Sequence, residues 1–350
     1  MDSQNEKPDA KLDNKAVDEG VQSSRRRFVG TVAAGIAGGA ALAPGLAQAQ
    51  AGAAATNPPR PLTPPAYPKP PFQRQKQDWP GLASKMTPRP DHGETTYRGS
   101  GRLTGRRALI TGGDSGMGRG AAIAFAREGA DVAINYLPAE EPDAREVAEL
   151  IRQAGRKAVL IPGDLRDENF CKKLVADAAR QLGGLDILVS NAARQQSIES
   201  ILDLSTAEME QTFKTNLYAM FWIVKAAVPL MPRGGSIIVT ASVQAYDPSP
   251  NLLAYASTKA AQVAFVKALA KQLAEKGIRV NAVAPGPVWT PLQVTGGQSQ
   301  EGLEKFGSES PFKRPGQPGE LAGAYVNLAS SESSYTTGQV YGVTGGAGFP

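Results

Sequence analysis

The chain has 350 residues, 41% of them apolar, and 38 basic against 33 acidic side chains give a formal charge of +5. It is long enough to bury a sizeable core, and so small a charge excess gives no argument for a nucleic-acid partner. One cysteine, Cys171, and one histidine, His92, exclude a disulfide framework, a thiolate metal cluster and zinc sites built on two histidines.

Residues 1–30 are polar and of mixed charge. Ser24-Arg25-Arg26-Arg27-Phe28-Val29-Gly30 then leads into an uncharged Ala/Gly-rich run from Thr31 to Ala43. As a helix that run spans about 20 Å, short of the roughly 30 Å bilayer core, so it reads as the apolar part of a signal peptide. Pro44-Gly45 ends it and Ala47-Gln48-Ala49 supplies a small-x-small cleavage pattern. The arginine pair with Phe28 resembles the bacterial twin-arginine export signal. That resemblance implies a signal peptide over 1–49 and delivery to the periplasm as a folded protein, with no membrane anchor after processing. If the signal is not used, the expectation is a cytoplasmic protein. Residues 50–103 are dense in proline, which favours extended geometry and withholds backbone donors. The segment reads as a linker or as an arm lying over the domain. It carries Trp79 and His92, and His92 is expected to be a solvated loop residue.

From residue 104 the pattern changes. Apolar or β-branched runs predict strands at Ala108–Thr111, Asp131–Tyr136, Lys157–Ile161, Leu185–Ser190, Ser236–Thr240, Ile278–Val283 and Gln339–Val343. Helical periodicity predicts helices at Gly118–Glu128, Ala144–Ala154, Glu168–Leu182, Ala207–Val228, Ala254–Glu275 and Glu320–Ala329. Continuous apolar strands alternating with helices mean a parallel sheet covered on both faces. The expected class is therefore α/β: a single-domain Rossmann fold over 104–350, a doubly wound parallel sheet of about seven strands flanked by helices.

The first predicted strand runs through Thr111-Gly112-Gly113-Asp114-Ser115-Gly116-Met117-Gly118 straight into a helix. Glycines there let the backbone turn sharply and approach a pyrophosphate, while the helix N-terminus offers unpaired amides. The spacing is GxxxGxG rather than GxGxxG, and no lysine follows as in a nucleoside-triphosphate loop. A plain strand-to-helix turn would also use glycines; the position at the first strand-to-helix junction favours dinucleotide binding. Gly112, Asp114, Ser115, Gly116, Met117 and Gly118 are the candidate residues.

At these residues the sequence resembles the short-chain dehydrogenases/reductases, whose loop is TGxxxGxG, and the resemblance extends over roughly 104–350. Asp164-Leu165 follows the third strand, where that family contacts adenine. Asn191-Ala192-Ala193 stands near the family's Asn-Ala-Gly, with Ala193 replacing glycine. Tyr255-Ala256-Ser257-Thr258-Lys259 gives the YxxxK motif, and Ser242 lies thirteen residues before the tyrosine. Pro285-Gly286-Pro287-Val288-Trp289-Thr290 matches the loop on the nicotinamide side. Within the family the chain is similar to bacterial members with an N-terminal extension and the stretch Asn135-Tyr136-Leu137-Pro138. The resemblance implies NAD or NADP as cofactor, an alcohol or carbonyl substrate, and a homodimer or homotetramer. It also implies cofactor contacts from Asn135, Tyr136, Pro285, Gly286, Val288 and Thr290.

Tyr255 and Lys259 are four residues apart on a predicted helix and so share a face. A free tyrosine ionises near 10. The expectation is that the lysine ammonium and a cationic nicotinamide ring lower that value by about 3 units, about 4 kcal/mol, so that Tyr255 serves as general acid or base. Ser242 would hydrogen-bond the substrate oxygen. Lys259 would also hold the ribose hydroxyls, and Asn216 matches the family's asparagine that supports a relay water. The predicted second strand ends on Asn135-Tyr136 with no acid or arginine, and Glu140, Glu141 and Asp143 follow, which favours NAD; Arg119 beside Gly118 keeps NADP open. Residues 291–318 read as a mobile substrate cover, with Leu292, Val294 and Phe306 as apolar members and Gly296-Gly297 as hinge, or as an ordinary surface loop. A non-catalytic dinucleotide sensor or scaffold is the alternative, and it would be expected to lack one of Asn216, Ser242, Tyr255 and Lys259. A doubly wound hydrolase would need a G-x-S-x-G elbow and a late histidine, which the sequence lacks. No metal is called for.

Overall fold

The structure, a computed structural model, describes residues 66–347; the arginine-rich leader and the start of the proline-rich segment lie outside the described residues. Seven strands form one parallel sheet: β1 (Arg107–Thr111), β2 (Asp131–Tyr136), β3 (Ala158–Pro162), β4 (Ile187–Ser190), β5 (Ser236–Thr240), β6 (Arg279–Pro285) and β7 (Val340–Val343). Their spatial order is β3-β2-β1-β4-β5-β6-β7. The helices are α1 (Gly116–Arg127), α2 (Glu141–Gln153), α3 (Glu168–Leu182), α4 (Thr206–Phe213), α5 (Ala219–Ala227), α6 (Leu253–Leu273), α7 (Gln300–Glu304) and α8 (Pro318–Ala329). This is the doubly wound sheet the alternating pattern predicts.

Strand sequences such as Ile187–Ser190 and Ser236–Thr240 are buried along their whole length, as a sheet covered on both faces requires. One apolar layer is built from the sheet with α1, α2 and α8 (Phe125, Val147, Leu321, Val326), the other with α3, α5 and α6 (Leu174, Ile223, Val266). Because every strand runs the same way, the loops after β1 to β6 gather along one edge. The order reverses between β1 and β4, which opens a crevice there.

Two local features depart from the expected pattern. The single helix expected over 207–228 is interrupted by a π-helical turn, Lys214–Tyr218, between α4 and α5. There the Thr215 hydroxyl donates to the Gln211 carbonyl (2.8 Å), and the Asn216 side chain is pulled onto neighbouring backbone. Such turns insert one extra residue and re-aim side chains, which sequence periodicity does not register. The described part of the proline-rich segment, 66–103, is held by specific contacts. Phe72 stacks on Trp289 at 4.3 Å between ring centroids, the Trp289 indole Nε1 donates to Pro88 O (2.8 Å), and Phe72, Met86, Trp289, Val294, Leu303 and Phe306 form a third apolar cluster. His92, expected to be solvated, is fully buried, with Nδ1 2.9 Å from Glu94.

Candidate active site

A cleft of about 940 Å³, including its solvent-open mouth, lies over the crevice between β1 and β4. Its floor is the turn after β1. Gly112 has φ of +61° and Gly116 of +52°, conformations glycine adopts without strain. A Cβ on Gly118 would lie 1.9 Å from the Gly112 carbonyl oxygen, so Gly118 lets α1 start directly beneath the loop. Asn191 ties this turn to β4: its Nδ2 donates to Thr111 O and Gly112 O (3.1 Å each), and its Oδ1 accepts from the Thr240 hydroxyl (3.1 Å). Ser115 occupies the N-cap of α1 without a side-chain cap bond, so the first amides of α1 are not capped from that side chain.

Most of the predicted cofactor residues are brought together here. Gly112, Asp114, Ser115, Gly116 and Met117 line the cleft from the first loop; Asn135 and Tyr136 from the end of β2; Asp164 and Leu165 from the end of β3; and Asn191, Ala192 and Ala193 from the end of β4. Thr290 lines it from beyond β6, as do Tyr255 and Lys259 from α6. Four predicted contacts fall outside the lining. Gly118 packs under the loop, and Pro285 belongs to β6. Gly286 donates its N–H to Val343 O (3.1 Å), and a Cβ there would meet Thr344 O at 2.5 Å; Val288 bridges to Gly316. These last three hold the final strand and the substrate-side loop in place.

Tyr255 and Lys259 are both buried on one face of α6, with Lys259 Nζ 5.2 Å from the phenol ring centroid and donating to Thr240 O (2.6 Å). Ser242, just past β5, is hydrogen-bonded to the Tyr255 phenol and caps the next turn through Gln244 N–H (3.1 Å). Ser242 is buried beside the tyrosine. Asn216 is likewise adjacent, and its side chain is fully engaged: Nδ2 donates to Arg194 O and to Thr258 Oγ1 (3.0 Å each), and Oδ1 accepts from Arg194 N–H (2.7 Å). Its carbonyl accepts from Gln262 Nε2 (2.5 Å). Asn216 therefore fastens α6 to the loop after β4.

Lys259 by itself does not acidify the phenol. Burial pushes Tyr255 up to about 12, opposed only by the Ser242 hydrogen bond. Burial likewise pushes Lys259 down to about 7. Desolvation penalises both charged forms more than either gains from the other.

Two carboxyl groups, Asp114 and Glu140, line the cleft beside the glycine loop. Asp114 is 1% exposed, and its Oδ2 has no hydrogen-bond partner among the described residues. Burial, with the charge of Asp143, raises the Asp114 carboxyl above its usual range, and burial with the charge of Asp114 raises Glu140. Arg119 is buried, with its guanidinium 3.1 Å from Glu94 and 3.0 Å from Glu146. Lys259 is the only lysine or arginine in the cleft lining among the described residues. The lining also contains Trp79, Pro80 and Gly81 from the proline-rich segment, together with Thr215, Pro291, Leu292 and Thr295. Nothing in the sequence near Trp79 marks it as a site residue.

Residues 112–348 match the family described as enoyl-(acyl carrier protein) reductase. The chain belongs to the short-chain dehydrogenase/reductase family. An uncharacterized oxidoreductase of Bacillus subtilis is 60% identical over 278 residues, covering 79% of this chain and 93% of the relative. The glucose and ribitol dehydrogenase of Daucus carota is 44% identical over 282 residues, covering 79% and 97%. Among solved structures, a Burkholderia cenocepacia short-chain dehydrogenase in complex with NADP aligns with a TM-score of 0.66 at 32% identity, over 70% of this chain and 99% of that one. A nicotinamide dinucleotide fits the residues present: a glycine-lined loop that a Cβ would fill, and a buried, unpartnered carboxylate oxygen on Asp114 suited to accept from a ribose hydroxyl.

Proposed function

We propose that this family member is a nicotinamide-dependent oxidoreductase interconverting an alcohol and a carbonyl compound, with Tyr255 as the proton donor and acceptor. The reading is carried by one observation: a tyrosine and a lysine, both buried on one helix face, line the same cleft as the glycine loop. A bound dinucleotide supplies the hydride acceptor or donor. The protein does the rest. Tyr255, held at about 12, is fully protonated at neutral pH and so is ready to donate to a carbonyl oxygen as charge develops there. Ser242, already bonded to the phenol, fixes its orientation and can share the substrate oxygen. For oxidation the same phenol must give up its proton, and cationic charge beside it makes this possible; Lys259, at about 7, carries that charge in part of the population and gains it as pH falls. Asn216, Thr258 and Gln262 keep α6 and the loop after β4 in register. A sensor or scaffold without turnover has no feature in its favour, since none of the four side chains is missing.

The two carboxyls beside the glycine loop, whose negative charge grows as pH rises, support NAD over NADP. A 2′-phosphate would meet Asp114 and Glu140, and Arg119, the one base that could have received it, is committed to Glu94 and Glu146. The Burkholderia relative is a complex with NADP, so the dissociation constants of the two cofactors are the deciding comparison; tenfold tighter NADP would reverse this preference. The leader supports export to the periplasm by the twin-arginine route, and lysines in place of Arg25 and Arg26 should strand the precursor in the cytoplasm. The family resemblance supports a homodimer or homotetramer, which sedimentation measures directly. The activity itself is tested by a panel of alcohols and aldehydes followed by reduced-nicotinamide absorbance. Turnover with any of them supports the reading, and cofactor binding without turnover on the whole panel favours the sensor.

A further inference from the structure

The proline-rich segment crosses the mouth of the cleft. On one side Gln77 N–H donates to Val294 O (3.0 Å), and Gly81 is packed so closely that a Cβ would lie 2.5 Å from Thr295 Cγ2. On the other side Ala83 N–H donates to Asp143 Oδ2 (2.6 Å) at the start of α2. Between these anchors, Trp79, Pro80 and Gly81 line the cleft. Trp79 is set between the loops after β3 and β4: the Arg166 guanidinium lies 5.5 Å and that of Arg194 5.2 Å from its ring centroid. Each arginine is itself fixed, Arg166 by Asp164 and Arg194 by a two-point pair with Glu208 (2.9 and 2.7 Å). An indole held by two anchored cations, part-buried and lining the cleft, gives the cleft a fixed aromatic wall.

We propose that Trp79 is a coenzyme-binding residue, walling the adenosine half of the dinucleotide, and that the strand of arm from Gln77 to Ala83 straps the coenzyme into the cleft. The assignment rests on the reading of the cleft as a dinucleotide site. It makes the arm part of the functional domain, because the arm supplies part of the binding surface. Coenzyme release then requires the strap to lift from either the loop after β6 or α2, so dissociation is slow and governed by the arm.

The experiment uses the full chain, with reduced coenzyme and ADP-ribose as ligands. It measures dissociation constants by titration and the coenzyme off-rate by chase, in wild type, Trp79→Ala and Trp79→Phe. Removing an aromatic wall from a base weakens binding about tenfold or more. The expected result is therefore at least a tenfold loss in Trp79→Ala for both ligands, carried mainly by a faster off-rate, and recovery to within about threefold in Trp79→Phe. The arm keeps its Phe72–Trp289 and Ala83–Asp143 anchors in both variants, so the unfolding midpoint without ligand should fall only slightly, through the lost arginine contacts. Affinity and off-rate within twofold of wild type in Trp79→Ala would overturn the proposal, as would equal losses in the Ala and Phe variants, since the ring face would then carry nothing. A loss confined to the complete dinucleotide would overturn the adenosine assignment. Failure of the wild type to bind any of these ligands would remove the dinucleotide reading itself, a different result from an arm that makes no difference.

Discussion

Replacing Asn191 by alanine isolates the device that holds the glycine loop in shape. Three side-chain hydrogen bonds are lost: those to Thr111 O and Gly112 O, and the one accepted from Thr240. The Thr240 hydroxyl keeps its 2.8 Å partner, Tyr325, so it is not orphaned. The two carbonyls lose the Asn191 donor. An unsatisfied buried group costs about 1–3 kcal/mol; Thr111 is buried, whereas Gly112 faces the cleft and can recover water. The expected loss is therefore about 2–4 kcal/mol in denaturant-induced unfolding, read as a lower midpoint at constant slope. The backbone bond from Asn191 N–H to Thr111 Oγ1 (2.9 Å) remains, so β4 itself should not unravel. With the Gly112 carbonyl free to swing, about 1 kcal/mol should also disappear from coenzyme binding, roughly a fivefold weaker dissociation constant. A stability change under about 0.5 kcal/mol would refute the idea that this side chain clamps the loop.

Three further outcomes are expected. Gly118→Ala places a Cβ on the Gly112 carbonyl and should abolish measurable coenzyme binding by calorimetry while most of the helical circular dichroism survives. Asp114 and Glu140 are both held above the ordinary carboxylate range, so their negative charge comes on as pH rises towards alkaline values. The ratio of NADP to NAD dissociation constants should accordingly climb between pH 6 and pH 9, and Glu140→Gln should flatten the climb. Trp289→Ala removes a fully buried ring stacked on Phe72 and the indole bond to Pro88. It should cost about 3–5 kcal/mol and expose residues near 66–90 to limited proteolysis; an arm as protease-resistant as in wild type would contradict the third apolar cluster as its anchor.

Sequence pattern located the parallel sheet well because its strands are continuous apolar runs: the expected span of Asp131–Tyr136, and likewise of Ser236–Thr240, coincides with the observed strand. The glycine loop and the Tyr255/Lys259 pair were equally legible, since spacing along one strand-to-helix turn and one helix is local information. What stayed hidden is non-local. Trp79 reaches the cleft beside Arg166 and Arg194, with Gly81 packed on Thr295, and no periodicity announces such a meeting. His92 reads as a solvated loop residue and Arg119 as free to reach a phosphate, yet the first is buried and the second is paired with Glu94 of the arm and Glu146 of α2. Spacing likewise places an ammonium near the phenol but says nothing of desolvation, which raises Tyr255 and lowers Lys259.

The most direct test of the central claim is carbonyl reduction by Tyr255→Phe, with coenzyme affinity measured on the same preparation. Loss of the proton donor should lower turnover by about 10²–10⁴-fold while the dissociation constant stays within about twofold, because the phenol hydroxyl is spent on chemistry and the ring remains. Turnover within tenfold of wild type, with binding intact, would mean that another group delivers the proton and that the buried pair on α6 is only part of the core.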